Sequence, residues 1–221
     1  MRFCKSAKKK RKRKNKGFIK MRRFSFFLIL CLILMGVVFK ISEGGEMKIE
    51  GKKVLMVIAH RDFRDEEYKH PREILENAGA KITVASSKTD TAYGSYGLAA
   101  QVDILLNDVQ VEDYDCVIFV GGMGSSEYFN NQKAHSIARE MLAQDKLVCA
   151  ICIAPNTLAQ AGILKDKKVT AFPSVKDDLV KQGAVYTGKD VEIDGNIITA
   201  NGPQAAKKFG ETIVAKLAEL N

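Results

Sequence analysis

Three short apolar runs, each followed directly by polar or glycine-rich residues, constrain the fold of this chain most strongly. They are Lys53–Ala59, Tyr114–Val120 and Leu147–Ile151. Beyond their first residues they show almost no alternation of apolar and polar side chains, which indicates strands buried on both faces. Strands of that kind belong to parallel sheets, where helices cover both faces. The runs therefore predict a central parallel sheet inside an α/β domain.

The remaining segments fit the same architecture. The further predicted elements are strands at Lys81–Ser86 and Lys168–Phe172, a hairpin of Val191–Ile193 with Asn196–Ala200, and helices near 131–144, 175–182 and 203–220. Asp194-Gly195 is a favourable pair for the tight turn of that hairpin. Residues 87–112 are less regular and predict turns and short strands. The predicted fold class is α/β, a doubly wound and mostly parallel sheet sandwiched by helices.

Positive charge is concentrated at the start of the chain. Residues 1–23 hold thirteen Lys and Arg and no acidic residue, whereas residues 47–221 hold 21 basic and 24 acidic residues. The net charge of +9 is therefore a property of the tail, and the part from Met47 onward has a net charge of −3. A nucleic-acid-binding domain carries its positive charge on the folded surface. The charge distribution thus argues against nucleic acid as a partner.

An uncharged apolar segment follows the basic tail. Phe24–Phe39 is sixteen residues long and lies between Arg22-Arg23 and Lys40. A membrane-spanning helix needs about 20 apolar residues, with ~17 as the lower limit, so the segment is short for a span. Basic residues before it favour a cytoplasmic N-terminus. We expect a membrane anchor through residues 24–39, with the domain outside the cytoplasm; a cleaved signal peptide is the second interpretation.

Met47 offers a third interpretation of the N-terminal region. Met47–Ile49 resembles the natural start of a compact domain, so residues 1–46 could be an over-extended gene start, and the protein would then be cytoplasmic. The predicted organisation is a basic cytoplasmic tail at 1–23, an anchor or signal segment with a linker at 24–46, and one domain at 47–221.

Polar clusters at 60–67, 121–124 and 152–155 follow the three central runs. In open α/β sheets ligands bind beyond the carboxyl ends of the strands, so we expect these clusters to meet at one edge. Cys152 lies where a predicted strand becomes a helix, and Pro155 suits the first helical turn. Free backbone N–H groups and the helix dipole there favour a thiolate, which makes Cys152 a candidate nucleophile. The alternative is an ordinary buried cysteine.

Together the motifs closely resemble the PfpI/ThiJ/DJ-one superfamily, a flavodoxin-like group related to class I glutamine amidotransferases. The resemblance covers Lys53–Leu220. Its motifs are Asp65-Glu66-Glu67 before a helix with Pro71, Gly121-Gly122 after a strand, Ala-Ile-Cys-x-x-Pro at 150–155, Lys-Val-Thr-x-x-Pro at 168–173, and Asp-Gly-Asn-Ile-Ile-Thr at 194–199 before Gly202-Pro203. The resemblance implies a flavodoxin-like domain that forms homo-oligomers.

The resemblance also implies a role for each cluster. Cys152 would be the nucleophile at the strand-to-helix elbow, and Glu67 would be a carboxylic acid bonded to its sulfur. A carboxyl desolvated beside a thiolate has a raised pKa, so it stays protonated and can donate. The N–H groups of Gly122 and Ile153 would form the oxyanion pocket. For Glu67 the alternative is an ordinary acid in the first turn of a helix, and for the Gly-Gly pair a tight turn.

Two positions depart from the superfamily pattern. Members with peptidase-like character usually have a His directly after the cysteine, where this chain has Ile153. Members that act on glyoxals usually carry a His at the position of Phe172. General acid–base steps need a proton carrier, so His60, at the end of the first strand, is kept as a candidate. His70 and His135 fall in predicted helices and are expected to be surface or packing residues.

The sequence offers no ligand set for a metal or a cofactor. No metal-ligand spacing is present, and Gly121-Gly122-Met123-Gly124 lacks the G-x-G-x-x-G spacing of dinucleotide sites, so neither group is expected. Cys149 and Cys152 have the C-x-x-C spacing, but residues three apart on a strand face opposite sides, which disfavours a disulfide. Cys116 and Cys149 are expected on neighbouring central strands as free thiols.

Three functions stay open from the sequence. The favoured one is a cysteine-dependent hydrolase or lyase on a small-molecule or peptide substrate with a carbonyl or acyl group, of peptidase-, glyoxalase- or deglycase-like type. The second is a non-catalytic redox-sensing or stress-protective protein whose Cys152 is oxidised. The third is an inert scaffold that keeps the fold and has an unreactive thiol.

Overall fold

The structure, a computed structural model, describes residues 47–220. The strands are β1 Lys53–Val57, β2 Arg61–Phe63, β3 Lys81–Ser86, β4 Ala92–Gly94, β5 Ala99–Ala100, β6 Ile104–Leu105, β7 Cys116–Phe119, β8 Leu147–Ile151, β9 Lys168–Val169, β10 Val185–Tyr186, β11 Val191–Asp194 and β12 Ile197–Ala200. The α-helices are α1 Asp65–Asn77, α2 Gln132–Ala143, α3 Pro155–Gln160, α4 Lys176–Lys181 and α5 Ala206–Glu219.

A seven-stranded sheet in the order β11-β12-β8-β7-β1-β3-β6 forms the centre of this region. Its neighbouring strands are parallel, except that β11 runs antiparallel to β12. If the two-residue edge strand β6 is set aside, the parallel strands β3-β1-β7-β8-β12 follow the order 2-1-3-4-5, as in flavodoxin-like folds. The predicted α/β class and mostly parallel sheet are confirmed.

Each face of the sheet has its own apolar core, because successive residues of a strand point to opposite faces. Met56 of β1 and Ile118 of β7 belong to the core on the side of α1 and α5. Their neighbours Leu55 and Val117 belong to the core on the side of α2, α3 and α4. All four side chains are completely buried. This explains why the central runs are apolar throughout instead of alternating.

The strand predicted at Lys168–Phe172 is shorter than expected, and it lies outside the main sheet. Only Lys168–Val169 is extended as β9, and it pairs with β10 in a separate two-stranded sheet. Beyond it, the backbone N–H of Thr170 donates to Thr199 Oγ1 at 2.8 Å, and that of Phe172 donates to the carbonyl oxygen of Cys152 at 2.8 Å. Pro173 then opens a short 3₁₀ turn. The end of this segment is therefore bonded to the backbone of Cys152 instead of continuing a strand.

Helices α1 and α5 pack side by side on one face of the sheet. Gly210 of α5 faces Pro71 of α1 so closely that an added Cβ at Gly210 would lie 2.9 Å from the Pro71 Cα. The first and last helices of the domain thus brace each other. Since α1 carries Glu67 in its first turn, α5 contributes indirectly to the position of that residue.

The predicted membrane anchor needs correction. Among residues 47–220 no helix is long and apolar enough to cross a membrane. The longest, α5 with 14 residues, would extend only about 21 Å, and it carries charged side chains along its length. This finding overturns the expected membrane partner, the expected transmembrane character and the expected place of the domain outside the cytoplasm. Residues 24–39, on which those expectations rested, lie outside the described residues.

Candidate active site

The carboxyl ends of β7, β8 and β12 lie level with one another at one edge of the sheet. Phe119 of β7 pairs with Ala150 of β8, and Ala150 pairs with Thr199 of β12. The residues that follow these strands therefore emerge side by side. They include Gly121 after β7 and Cys152 after β8, as the predicted convergence of polar clusters requires.

Cys152 occupies a strained corner between β8 and α3. Its φ angle is 64°, in the left-handed region that costs a non-glycine residue about 1–2 kcal/mol. Two hydrogen bonds hold its peptide groups: the Cys152 N–H donates to Ala200 O at 2.9 Å, and the Cys152 carbonyl accepts from Phe172 N–H at 2.8 Å. Its side chain is half-buried, whereas Cys116 and Cys149 are fully buried. The corner therefore holds the backbone of Cys152 in place at the edge of the sheet.

Glu67 and Cys152 face each other across Gly121. Glu67 lies in the first turn of α1 and is completely buried. A Cβ added to Gly121 would collide with Glu67 Oε2 and would lie 2.5 Å from Cys152 Cβ. Only a residue without a side chain fits next to both the acid and the cysteine. The structure thus brings together the two residues that the sequence analysis paired.

Burial dominates the protonation of this pair. Desolvation raises the pKa of Glu67 to about 8, although the neighbouring Cys152 thiol, the Arg64 charge and the Gly121 N–H lower it. Desolvation and then the Glu67 charge raise the pKa of Cys152 to about 12. Because the groups interact, the two values describe the pair: the first proton leaves near 8 and the second near 12. At neutral pH the carboxyl is protonated, as expected.

The expected acidification of the Cys152 thiol is wrong. The backbone N–H groups of Gly122 and Ile153 do lower the pKa of the thiol, as a strand-to-helix corner should. However, α3 has only six residues, and its dipole is correspondingly weak. Burial beside a second acid outweighs these contributions. At neutral pH the Cys152 thiol therefore stays protonated, and Glu67 is the group with which it can exchange its proton.

Two backbone N–H groups interact with the Cys152 sulfur. One belongs to Gly122 and the other to Ile153, the pair expected for an oxyanion pocket. Gly122 has a φ of 98°, and a Cβ there would collide with the Arg64 nitrogen and the Asp62 oxygen. Glycine is therefore required for the loop to turn its N–H towards Cys152. Whether these groups bind a developing oxyanion stays a prediction.

His60 lies elsewhere. Its side chain is 6% exposed, and its Nε2 faces Asp90 Oδ1 at 3.6 Å. Its backbone N–H donates to Glu127 Oε1 at 3.2 Å. The hydrogen bonds and ion pairs of His60 thus do not involve Cys152 or Glu67, and its role as proton carrier stays an unsupported prediction. His135 packs in α2 with Nε2 near Phe129 O, as expected of a packing residue.

The sequence analysis gave no role to Arg64 and named Asp65 only as part of the Asp65-Glu66-Glu67 motif, but both residues fasten the start of α1. Arg64 Nε binds Glu66 Oε2 at 2.7 Å, and its Nη1 donates to the Tyr96 hydroxyl at 2.9 Å. The Asp65 carboxylate accepts the N–H of Tyr96 at 3.0 Å and that of Leu98 at 2.9 Å. Nothing local distinguishes these two residues from solvated charges. Tyr96 and Leu98 are about thirty residues away in the chain, so no local pattern could reveal these contacts.

Two further features of the described residues are the other cysteines and the side chains that could bind a metal ion. Cys116 and Cys149 are free, lie on neighbouring strands as expected, and have sulfur atoms 3.8 Å apart. Within residues 47–220 no group of three His, Cys, Asp or Glu side chains is arranged to hold a metal ion.

Comparison with known proteins identifies the family. The model of the DJ-1/PfpI family matches residues 52–216. The chain belongs to the DJ-1/PfpI family. A deglycase of Pyrococcus horikoshii is 34% identical over 151 residues, which are 68% of this chain and 90% of that protein. A protein of Methanocaldococcus jannaschii is 37% identical over 204 residues, covering 91% of this chain and 100% of the relative.

Solved structures of the DJ-1/PfpI family share the fold. A ThiJ/PfpI domain protein from Brachyspira murdochii has a TM-score of 0.76 and 31% identity, with 78% of this chain and 99% of that one covered. Drosophila melanogaster DJ-1beta has a TM-score of 0.70 and 31% identity, with 76% and 91% covered. The predicted superfamily is confirmed. Several curated DJ-1/PfpI relatives are named deglycases.

Proposed function

We propose that this DJ-1/PfpI protein is a deglycase-like enzyme in which Cys152 attacks the carbonyl carbon of a small substrate. The observation that carries the proposal is the buried Glu67 carboxyl facing the Cys152 thiol across Gly121. A carboxyl in that place can both take and give a proton. The deglycase names of relatives at 30–34% identity support the substrate class.

The first chemical step follows from the protons that Cys152 and Glu67 hold at neutral pH. The Cys152 sulfur forms a bond to the carbonyl carbon, and the carbonyl π electrons move to the oxygen. The thiol proton passes to one oxygen of Glu67 while the proton held by the carboxyl passes to the new alkoxide. The product is a neutral hemithioacetal and Glu67 remains a carboxylic acid. This proton transfer needs no imidazole. It is therefore compatible with Ile153 and Phe172 at the two positions where superfamily members usually have His.

The N–H groups of Gly122 and Ile153 would stabilise the oxygen while negative charge develops on it. Removal of one such donor in other enzymes costs about 10²–10³ in kcat. Both groups belong to the backbone and are held by the turns around Gly122 and Cys152, so no side chain has to reorganise.

The test is turnover of methylglyoxal and of a methylglyoxal-modified amine by the wild type and by Cys152→Ser and Glu67→Gln. We expect Cys152→Ser to reduce kcat/KM by at least about 10³-fold, because the serine hydroxyl is not activated here. Cys149→Ser, at a fully buried cysteine outside the site, is the control and should keep activity. Turnover that survives in Cys152→Ser would refute the mechanism.

A second function, oxidation sensing at Cys152, is favoured by one observation. Of the three cysteines in residues 47–220, Cys152 alone is partly exposed, so an oxidant reaches it first. Treatment with peroxide followed by peptide mass spectrometry should then place sulfinic acid on Cys152. Oxidation of Cys116 or Cys149 with an unmodified Cys152 would exclude this function.

A further inference from the structure

Two residues whose backbone adjoins the Cys152 corner have large, exposed apolar side chains. Met123, which follows Gly122 after β7, is 76% exposed, and Phe172 is 44% exposed. Single exposed apolar residues are common on protein surfaces and need no explanation. Here, however, the two segments adjoining the thiol each present one, and both are tied to it by backbone contacts.

The backbone of both residues is held next to the Cys152 corner. The Phe172 N–H donates to the carbonyl oxygen of Cys152 at 2.8 Å, which couples the main chain of the two residues. Met123 directly follows Gly122, whose N–H faces the sulfur. The 3₁₀ turn that begins at Met123 is held by the hydrogen bond from Ser125 Oγ to Gly122 O at 2.7 Å. The Cα atoms of Met123 and Phe172 are therefore held close to the Cys152 corner by the backbone.

Aromatic and thioether side chains suit a small apolar group. A phenylalanine ring offers a flat face, and methionine adapts its unbranched chain to whatever lies opposite. Covering either side chain removes apolar surface from water, which is favourable by about 25 cal/mol per Å².

We propose that Met123 and Phe172 form an apolar clamp that selects carbonyl substrates with an aromatic or branched aliphatic substituent. The clamp rests on the proposed attack of Cys152 on a carbonyl and names the substrate class for that site. Met123 and Phe172 are specificity-determining residues, and neither takes part in proton transfer.

The test compares two alkylating reagents that differ by one phenyl group, iodoacetamide and iodoacetanilide. In both, the Cys152 sulfur bonds to the methylene carbon as iodide leaves with the bonding electrons, and the thiol proton passes to solvent. Peptide mass spectrometry of the full chain follows the Cys152 label. Each rate is divided by that of free cysteine with the same reagent. We expect the wild type to prefer iodoacetanilide on the order of tenfold, and Met123→Ser and Phe172→Ser to lose most of that preference.

Ile193→Ser is the matched control, since Ile193 is 46% exposed on the edge strand β11, away from Cys152. It should keep the wild-type preference. A wild-type preference near one, or an unchanged preference in both clamp variants, would overturn the proposal. If both variants instead dissociate a wild-type dimer on sedimentation with the preference unchanged, a second copy of the chain covers this surface, and the clamp is also overturned.

The labelling does not need turnover, so its outcome is separate from that of the proposed function. A protein that consumes no glyoxal but shows the phenyl preference would keep the clamp and refute the enzyme. In an active preparation, kcat/KM for phenylglyoxal over methylglyoxal should fall in both clamp variants while Ile193→Ser leaves it unchanged. Turnover with equal preference in all four proteins would refute only the clamp.

Discussion

The protonation of one buried carboxyl governs the chemistry that Cys152 can perform. Glu67 has no exposed surface, and desolvation raises its pKa to about 8. The same burial raises the pKa of Cys152 to about 12. Neither group alone is a strong base or a strong nucleophile at neutral pH. As a pair they hold two protons below pH 8 and one above it, and that shared proton is what the site can move.

The pH dependence of Cys152 alkylation should report this pair directly. In the wild type the rate with iodoacetamide should rise through an apparent pKa of about 8, where the pair loses its first proton, and then level off. In Glu67→Gln that step disappears, so the rate should keep rising at higher pH. Glu73→Gln, with its carboxyl exposed on the same helix, is the control. Identical profiles for wild type and Glu67→Gln would contradict the coupling.

Glu67 should also make folding stability depend on pH. The carboxyl has a pKa near 4.5 when unfolded and about 8 when folded, so between these values the folded protein binds more protons. Stability due to this group is therefore fully present below 4.5 and is lost as the pH rises through 8. We expect Glu67→Gln to raise Tm relative to wild type more at pH 8 than at pH 5. An equal difference at both pH values would show that Glu67 is not buried as a neutral acid.

At the scale of elements, the start of α1 depends on a distant turn. Asp65 accepts the N–H groups of Tyr96 and Leu98, and Arg64 binds the Tyr96 hydroxyl. These bonds attach the turn after β4 to the helix that carries Glu67. The first helical turn is thus positioned by tertiary contacts, since the Arg64 N-cap makes no side-chain cap.

Loss of the Asp65 carboxylate should release that turn. Asp65→Ala leaves two backbone donors without partners, so we expect a loss of about 1–3 kcal/mol in the free energy of unfolding in urea. Amide exchange at Tyr96 and Leu98 should accelerate as well. Glu112→Ala, at an exposed acid in another segment, should leave both measurements unchanged. Slow exchange at Leu98 in Asp65→Ala would mean that the turn is held by other contacts.

Local signals made most elements predictable. The apolar runs, the Asp194-Gly195 turn and the strand-to-helix corner at Cys152 each depend on neighbours in the sequence, and the structure has them all. The strand predicted at Lys168–Phe172 is too long, because an apolar run does not reveal which partners its backbone N–H groups bond to. Two of them leave the strand pattern, one for Thr199 and one for Cys152. The raised pKa of the Cys152 thiol could not be predicted, because the burial that raises it depends on the whole fold.

At the scale of the whole molecule, the sheet separates two cores, and both depend on the central strands. Ile118 of β7 is fully buried against α1 and α5. We expect Ile118→Ala to lower the free energy of unfolding by roughly 2–5 kcal/mol, because it leaves a cavity that the sheet cannot collapse. Urea unfolding measures this. Val185→Ala, at a residue 50% exposed on β10, should change stability by less than about 0.5 kcal/mol.

The packing of α5 on α1 has a consequence for the order in which the protein is made. The ribosome completes Glu67 and Cys152 well before Ala206–Glu219, the helix that lies against Pro71. Until that last segment emerges, α1 packs on the sheet but lacks the helix that lies against Pro71. We therefore expect Glu67 and Cys152 to reach their final arrangement only after the C-terminal helix has packed against α1.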